Sequence, residues 1–338
     1  MRHPATATAS SVAFSVSFSV SFSVAFSVAF WAALALTVPG CGKSAEEKPP
    51  RAANTEETAA NIEVVDDLGR KHRFDKSVAR VVSLSPALTE VLFAVGCGQT
   101  LVMRDGWSNY PRAAMKVPAI KGLKPSAEAV LAAHPDVVLS NFPPETLRTA
   151  LASAKVPIVA FNPSTFSEIA SSFERIAAIC GKPENGKELA GDFLGEVKAV
   201  AAQVAGRKRP RVFLELDAGA DGQPYTLGKG AFGHELLEAA GGINAFADGR
   251  SAWFQVSVEA VIAANPDVIL LADALSTGNK RDPASVGKRP GWNAIAAVRS
   301  ERVHDVMADW VSRPGPRLVL GLRQVAAVLH PDAFKGAK

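Results

Sequence analysis

Residues 128–140 read EAVLAAHPDVVLS and residues 259–271 read EAVIAANPDVILL, identical at nine of thirteen positions and 131 residues apart. Each copy opens on a glutamate (Glu128, Glu259), continues through alanine-rich text and meets a proline (Pro135, Pro266) before an apolar run. Ser126 and Ser257 stand where a helix N-cap would, and a proline ends a helix at the residue before it. The phrase is therefore a short helix feeding a buried strand. A chain that writes it twice, at the same stage of two similar segments, predicts two α/β lobes of one plan. A carboxylate in a first helical turn favours the helix dipole by ~0.3–1 kcal/mol, which accounts for both glutamates without any functional role.

The surrounding text extends the pattern. IEVVDDLGRKHRF (62–74) reads as a hairpin, RVVSL (80–84) as a strand, and SPALTEVLFAVG (85–96) as a helix with Ser85 as cap. TLVMRD, PSAEAVLAA, DVVLS, PETLRTALASA and PIVAF then alternate strand with helix. From 166 to 207 the strands stop and two helical stretches follow, the second long and amphipathic. Alternation resumes at RVFLEL (211–216) and ends with the helix RLVLGLRQVAAVL. The predicted division is an N-terminal lobe over 61–165, a helical bridge over 166–207 and a C-terminal lobe over 208–332. The predicted class is α/β: two Rossmann-like lobes with central, mostly parallel sheets.

The first forty residues belong to none of this. Arg2 is their only charged side chain, and Phe recurs at 14, 18, 22, 26 and 30 in a repetitive apolar run. A signal peptide over 1–40 is expected, although the length also suits a plain membrane anchor. The segment closes on LTVPGC, which resembles a bacterial lipobox with Cys41 as the lipidated residue; Pro39 departs from that pattern. Residues 41–60 are polar and read as a tether. Either form of attachment places the body on the outer face of the cytoplasmic membrane. The chain is 48% apolar and 21% charged, with a net charge of +4, which excludes disorder and argues against nucleic acid as partner. Cys97 and Cys180 have no spacing pattern and read as small apolar fillers at helix ends, with no disulfide implied.

In open α/β sheets, ligands gather beyond the C-terminal ends of the strands. That rule picks out Trp107 and Tyr110 in the first lobe, with Phe142 after DVVLS. In the second lobe it picks out Tyr225, Trp253, Asp309, Trp310 and Arg313. Each ring alone could be a half-buried packing residue, and Asp309 with Arg313 a local ion pair. Together they suggest a large, flat ligand with apolar faces. Glu128 and Glu259 start helices on that same side, one per lobe, while His134 falls on the far side. Enzyme signatures are missing: there is no GxGxxG or GxxxxGK[ST], and no GxSxG elbow. HELLE (234–238) has Glu238 where a zinc-binding HExxH needs its second histidine. A metal-dependent hydrolase using His234 is the remote alternative.

RVVSLSPALTEVLFAVG, the DDLGR hairpin and the two PDV units resemble the periplasmic substrate-binding proteins of ABC importers for cobalamin, siderophores and heme. The resemblance covers about 62–330. SNYP, PYTLGKG, EAAGGINAFAD, AWFQVSVE and DWVSRPGPR are similar to the cobalamin-binding branch. This resemblance implies the helical-backbone (class III) fold, with the lobes joined by a long rigid helix. It implies Tyr110, Trp253, Asp309 and Arg313 as corrinoid contacts. It also implies Glu128 and Glu259 as carboxylates docking onto arginines of a two-fold symmetric permease with its ATPase. The implied protein is a monomer with no cofactor and no catalysis, carrying cobalamin as transported ligand. Gly122 and Asn141 stand where the cobalamin branch has tryptophans, with Phe142 beside the second. Heme, with Tyr110 or His234 as iron ligand, and a ferric siderophore are the alternatives within the family. A sensor for a signalling partner is another.

Overall fold

The computed structural model describes residues 61–120, 125–218, 222–272 and 283–335. The expected signal segment, Cys41, the tether and Gly122 lie outside them. No helix among the described residues is long and apolar enough to cross a membrane.

The chain enters through the hairpin β1 (Ile62–Val65) and β2 (Lys71–Phe74), paired antiparallel with Ile62 opposite Phe74. Its turn is organised by the buried Asp66. The carboxylate accepts from Leu68 N (3.0 Å) and Arg70 N (2.9 Å), and also from the Arg70 guanidinium and His72 Nε2. Burial raises the Asp66 pKa, but the Arg70 hydrogen bonds, joined by His72 and Ala160 N, outweigh it and hold the carboxyl at about 2.

The first lobe follows as β3 (Val81–Ser83), α1 (Pro86–Ala94), β4 (Leu101–Arg104), α2 (Ala127–Leu131), β5 (Val137–Ser140), α3 (Glu145–Ser153) and β6 (Ile158–Ala160). Its four strands are all parallel, in the order β4-β3-β5-β6. After the bridge helices α4 (Phe166–Ile179) and α5 (Pro183–Val204) come β7 (Arg211–Glu215), β8 (Tyr225–Leu227), α6 (Phe232–Ala239), β9 (Ile243–Asn244), β10 (Trp253–Gln255), α7 (Val258–Ala264) and β11 (Val268–Leu271). The chain ends with α8 (Ala296–Arg299), β12 (Val303–Asp305), α9 (Ala308–Val311) and α10 (Leu318–Leu329). The second parallel sheet runs β12-β11-β7-β9. Numbered within its own lobe and read from the β9 edge, that order is 2-1-3-4, as in the first lobe.

The duplicated phrase occupies the same topological place twice, as α2–β5 and α7–β11. β5 and β11 are buried along their whole length, as central strands of covered parallel sheets must be. Ser126 and Ser257 cap as expected, each accepting from the amide three residues on at 3.1 Å. His134 and Asn265 take left-handed φ values of 45° and 41° just ahead of the prolines. The aspartates then secure the neighbouring strand. Asp136 accepts from Ala79 N and Arg80 N, and Asp267 from Arg211 N at 2.8 Å. Ser85 departs from expectation: its side chain makes no capping bond. Instead its carbonyl accepts from the Ser83 hydroxyl, to which Thr89 also donates.

In the bridge, α4 folds back on α5, with Phe166 and Phe173 edge-on to Phe193 at 5.9 and 5.4 Å. α5 reaches from the first lobe to the second. Near its start Asn185 donates to Val95 O at 3.1 Å, and near its end Gln203 donates to Ala333 O at 2.7 Å. Its 22 residues give a strut of about 33 Å.

Candidate functional site

The two sheets point their C-terminal ends at each other, and between them lies a cavity of about 650 Å³ lined from both lobes. That volume suits a small-molecule site. Segments following β3, β4, β5, β6, β7 and β12 supply much of the wall.

In the first lobe the rings sit on loop tips. Asp105 accepts from Trp107 N (2.6 Å) and Ser108 N (3.0 Å), an Asx turn that throws the indole outward. Trp107 is 60% exposed and Phe142 68% exposed, high values for large rings. Phe142 takes a left-handed φ of 45°, and its N–H donates to Asn162 Oδ1 at 2.6 Å. Asn141 donates to the Phe161 carbonyl, joining the tips of β5 and β6. Asn141 and Asn162 thus brace the turn that carries Phe142.

In the second lobe the ring is on regular structure. Trp253 and Tyr225 lie on short paired strands and not in loops: β10 pairs antiparallel with β8, setting Trp253 opposite Leu227 and Gln255 opposite Tyr225. Thr226 fastens that pair to the sheet by donating to Leu214 O at 2.8 Å. The buried Phe232 backs Trp253, with centroids 5.4 Å apart. Alternation along the strand explains why Trp253 reaches the cavity.

At the junction of the lobes the expected Asp309–Arg313 pair belongs to a larger charged network that adds Glu90, Asn109 and Arg317. Glu90, 3% exposed on α1, receives Arg317 through two bonds (2.9 and 2.6 Å) and Arg313 at 3.2 Å. Arg313 also donates to Asn109 Oδ1 at 2.9 Å and pairs with Asp309 at 2.6 Å. Asn109 in turn donates to Asp309 at 3.3 Å. Burial pulls the Arg317 pKa down, but the Glu90 bond and charge, with Asp309 and Tyr110 beyond, lift it above its ordinary value. Glu90 is the only charge in SPALTEVLFAVG. A lone carboxylate in apolar helical text was the signal that could have found it.

Of the residues singled out earlier, Trp107, Phe142, Trp253, Asp309 and Arg313 line the shared cavity. Tyr110 does not. It lines a separate cavity of about 420 Å³ with Glu90, and its ring lies 4.1 Å beneath the Arg317 guanidinium. The cause is that guanidinium: Glu90 fixes it across the lobe junction, and the ring stacks on it. Tyr225 is exposed and Trp310 half-buried, and neither is in the cavity lining. Glu128 and Glu259 are both exposed in the first turns of α2 and α7. His234 lies outside the lining, and Glu235 of HELLE accepts from Phe166 N at the start of α4. Among the described residues no cluster of three His, Cys, Asp or Glu gathers to hold a metal.

The family described as periplasmic binding protein matches residues 81–309. An uncharacterized ABC transporter substrate-binding lipoprotein of Bacillus subtilis is 31% identical over 90% of this chain and 98% of its own length. A vitamin B12-binding protein of Salmonella choleraesuis is 31% identical over 74% of this chain and 90% of its own. A solved structure of the periplasmic heme-binding protein from Roseiflexus sp. RS-1 aligns at a TM-score of 0.66 with 28% identity, covering 75% of this chain and 98% of that one.

Proposed function

The chain belongs to the periplasmic binding protein family, and from that premise we propose that it captures a corrinoid, cobalamin or a near relative, between its lobes and delivers it to a membrane permease. It is a substrate-binding protein of an ABC importer, of the class that serves cobalamin, heme and siderophores, and it works outside the cytoplasmic membrane.

One observation supports the corrinoid over its rivals: the chemistry of the cavity wall. Four aromatic rings line it, Trp107 and Phe142 from the first lobe and Phe232 and Trp253 from the second, together with Asp309 and Arg313. Rings bury a broad macrocycle by area, and the carboxylate and guanidinium match amide side groups that both donate and accept. The described lining holds no imidazole, phenol or thiol. A corrinoid brings its own axial ligands to the metal, whereas the heme reading asked for Tyr110 or His234, both outside the lining. Delivery follows from symmetry. Glu128 and Glu259 start equivalent helices in equivalent lobes, and a two-fold permease would meet both with the same basic surface. The protein acts as a monomer held to the membrane through lipidated Cys41.

Calorimetric titration of the chain lacking residues 1–40 with cyanocobalamin should give saturable one-to-one binding. No heat with cobalamin, together with a saturable new visible band on adding heme, moves the assignment to heme. Exchanging both Glu128 and Glu259 for alanine should leave that titration unchanged and impair uptake in cells. Undiminished uptake would remove the docking role.

A further inference from the structure

Cys97 and Cys180 have no part in the cleft, yet the fold brings together the segments that carry them, one in the first lobe and one in the bridge. Each closes a helix. After α1, Gly96 takes φ +75° and Cys97 N donates to Leu92 O at 2.7 Å. After α4, Gly181 also takes φ +75° and Lys182 N donates to Ala177 O at 2.8 Å. Both are left-handed helix endings that need glycine. The two endings are fastened to each other. Lys182 Nζ donates to Gly96 O at 2.7 Å and Asn185 Nδ2 to Val95 O at 3.1 Å. Beside these contacts the Cys97 and Cys180 thiols lie close enough for each to shift the titration of the other, and Cys97 Sγ also donates to Val95 O at 4.0 Å. Cys97 is buried in the core, and Cys180 packs against that core with partial access to solvent.

We propose that Cys97 and Cys180 join in a disulfide in the exported protein, closing a loop that contains β4, β5 and β6. Exported proteins meet an oxidising compartment, where paired thiols become bridges. For this the inference rests on the extracytoplasmic placement above. The neighbouring Cys180 thiol, opposed by burial and helped by Lys182, lowers the Cys97 pKa, while Cys97 and burial raise that of Cys180. Cys180 is the member of the pair with access to solvent, so exchange starts from its thiolate once it has given up its proton. That thiolate attacks a small-molecule disulfide such as oxidised glutathione and expels one glutathione thiolate. Cys97 then loses its proton, attacks the Cys180 sulfur of the mixed disulfide and expels the second. Two protein thiols are oxidised, one glutathione disulfide is reduced, and the two protons end on the released thiolates.

The test uses the full chain carrying Cys41→Ser, so that only these two thiols remain. The folded protein is equilibrated with oxidised glutathione, acid-quenched, alkylated with iodoacetamide and mapped by mass spectrometry. The expected result is a linked Cys97–Cys180 peptide pair that disappears with dithiothreitol, and a melting temperature several degrees higher for the oxidised protein. Recovery of both cysteines alkylated, or of either carrying glutathione alone, overturns the proposal. The Cys97→Ala, Cys180→Ala double variant should melt at the same temperature with and without reductant; a persisting redox shift also counts against the bridge. Cobalamin titration is read separately. Free thiols with intact binding sink this inference alone, and a linked pair without binding sinks only the transport reading.

Discussion

The lobes are near copies where their strands begin and strangers where they end. At the far side of each sheet a left-handed residue, a proline and an aspartate recur, and the aspartate carries out the same strand-binding task. At the cleft the first lobe offers Trp107 and Phe142 on loop tips, steadied by Asx-type bonds. The second offers Trp253 on a strand pair, backed by Phe232, with Asp309 and Arg313 nearby. A duplicated plan must keep the residues that close each sheet, while its loop ends are free to diverge. An asymmetric cavity inside a pseudo-symmetric body results.

The largest way to break this comparison is to cut the point where the lobes meet. Glu90→Ala leaves the Arg313 and Arg317 guanidinium groups without their buried carboxylate. A loss of about 3–5 kcal/mol is expected, the scale for breaking a buried pair, read from urea unfolding midpoints. A loss below about 1 kcal/mol would show that solvent or Asp309 replaces it.

A contrast between the two walls comes next. On the proposed corrinoid reading, Trp253→Ala should weaken cobalamin binding by about 2 kcal/mol or more, since a backed ring on a strand is already ordered. Trp107→Ala and Phe142→Ala should each cost about 1 kcal/mol, part of their burial energy being spent on ordering loop tips. Equal losses at all three would erase the distinction between loop and strand.

Acid separates the lobes in another way, because the Asp66 hairpin belongs to the first alone. Its folded pKa of about 2 lies below the ordinary 3.8, so its contribution is complete above pH 4. Roughly 2 kcal/mol is then lost as pH falls from about 4 through about 2. Asp66→Asn should flatten that part of the stability–pH curve, and an unchanged curve would assign the acid sensitivity elsewhere. The smallest effect tests the likeness itself. Ser126→Ala and Ser257→Ala remove equivalent caps and should each cost about 1 kcal/mol in thermal unfolding. Markedly unequal losses would mean that the two copies are alike in letters and not in role.

Much of this architecture was legible in the chain. Periodicity gave the order of strands and helices, and the strand-end rule placed Trp107, Phe142, Asp309 and Arg313 at one cleft. Local text could not show that Tyr110, the residue after Asn109, would be drawn under Arg317. That contact depends on a residue some two hundred positions later. Trp253 looked like a loop residue because β8 and β10 are three-residue strands, too short to declare an alternation. Glu90 stayed hidden for the opposite reason. Helical periodicity marks a buried face without saying which distant cation will neutralise a charge on it.

The strut α5 has a consequence for traffic at the membrane. A single unbroken helix, bonded to α1's end and to the chain's last turns, leaves little freedom for the halves to swing apart. The unladen receptor therefore offers a transporter almost the same outline as the laden one. Empty copies become competitors for the same berth, and import should slow when the receptor greatly outnumbers its cargo.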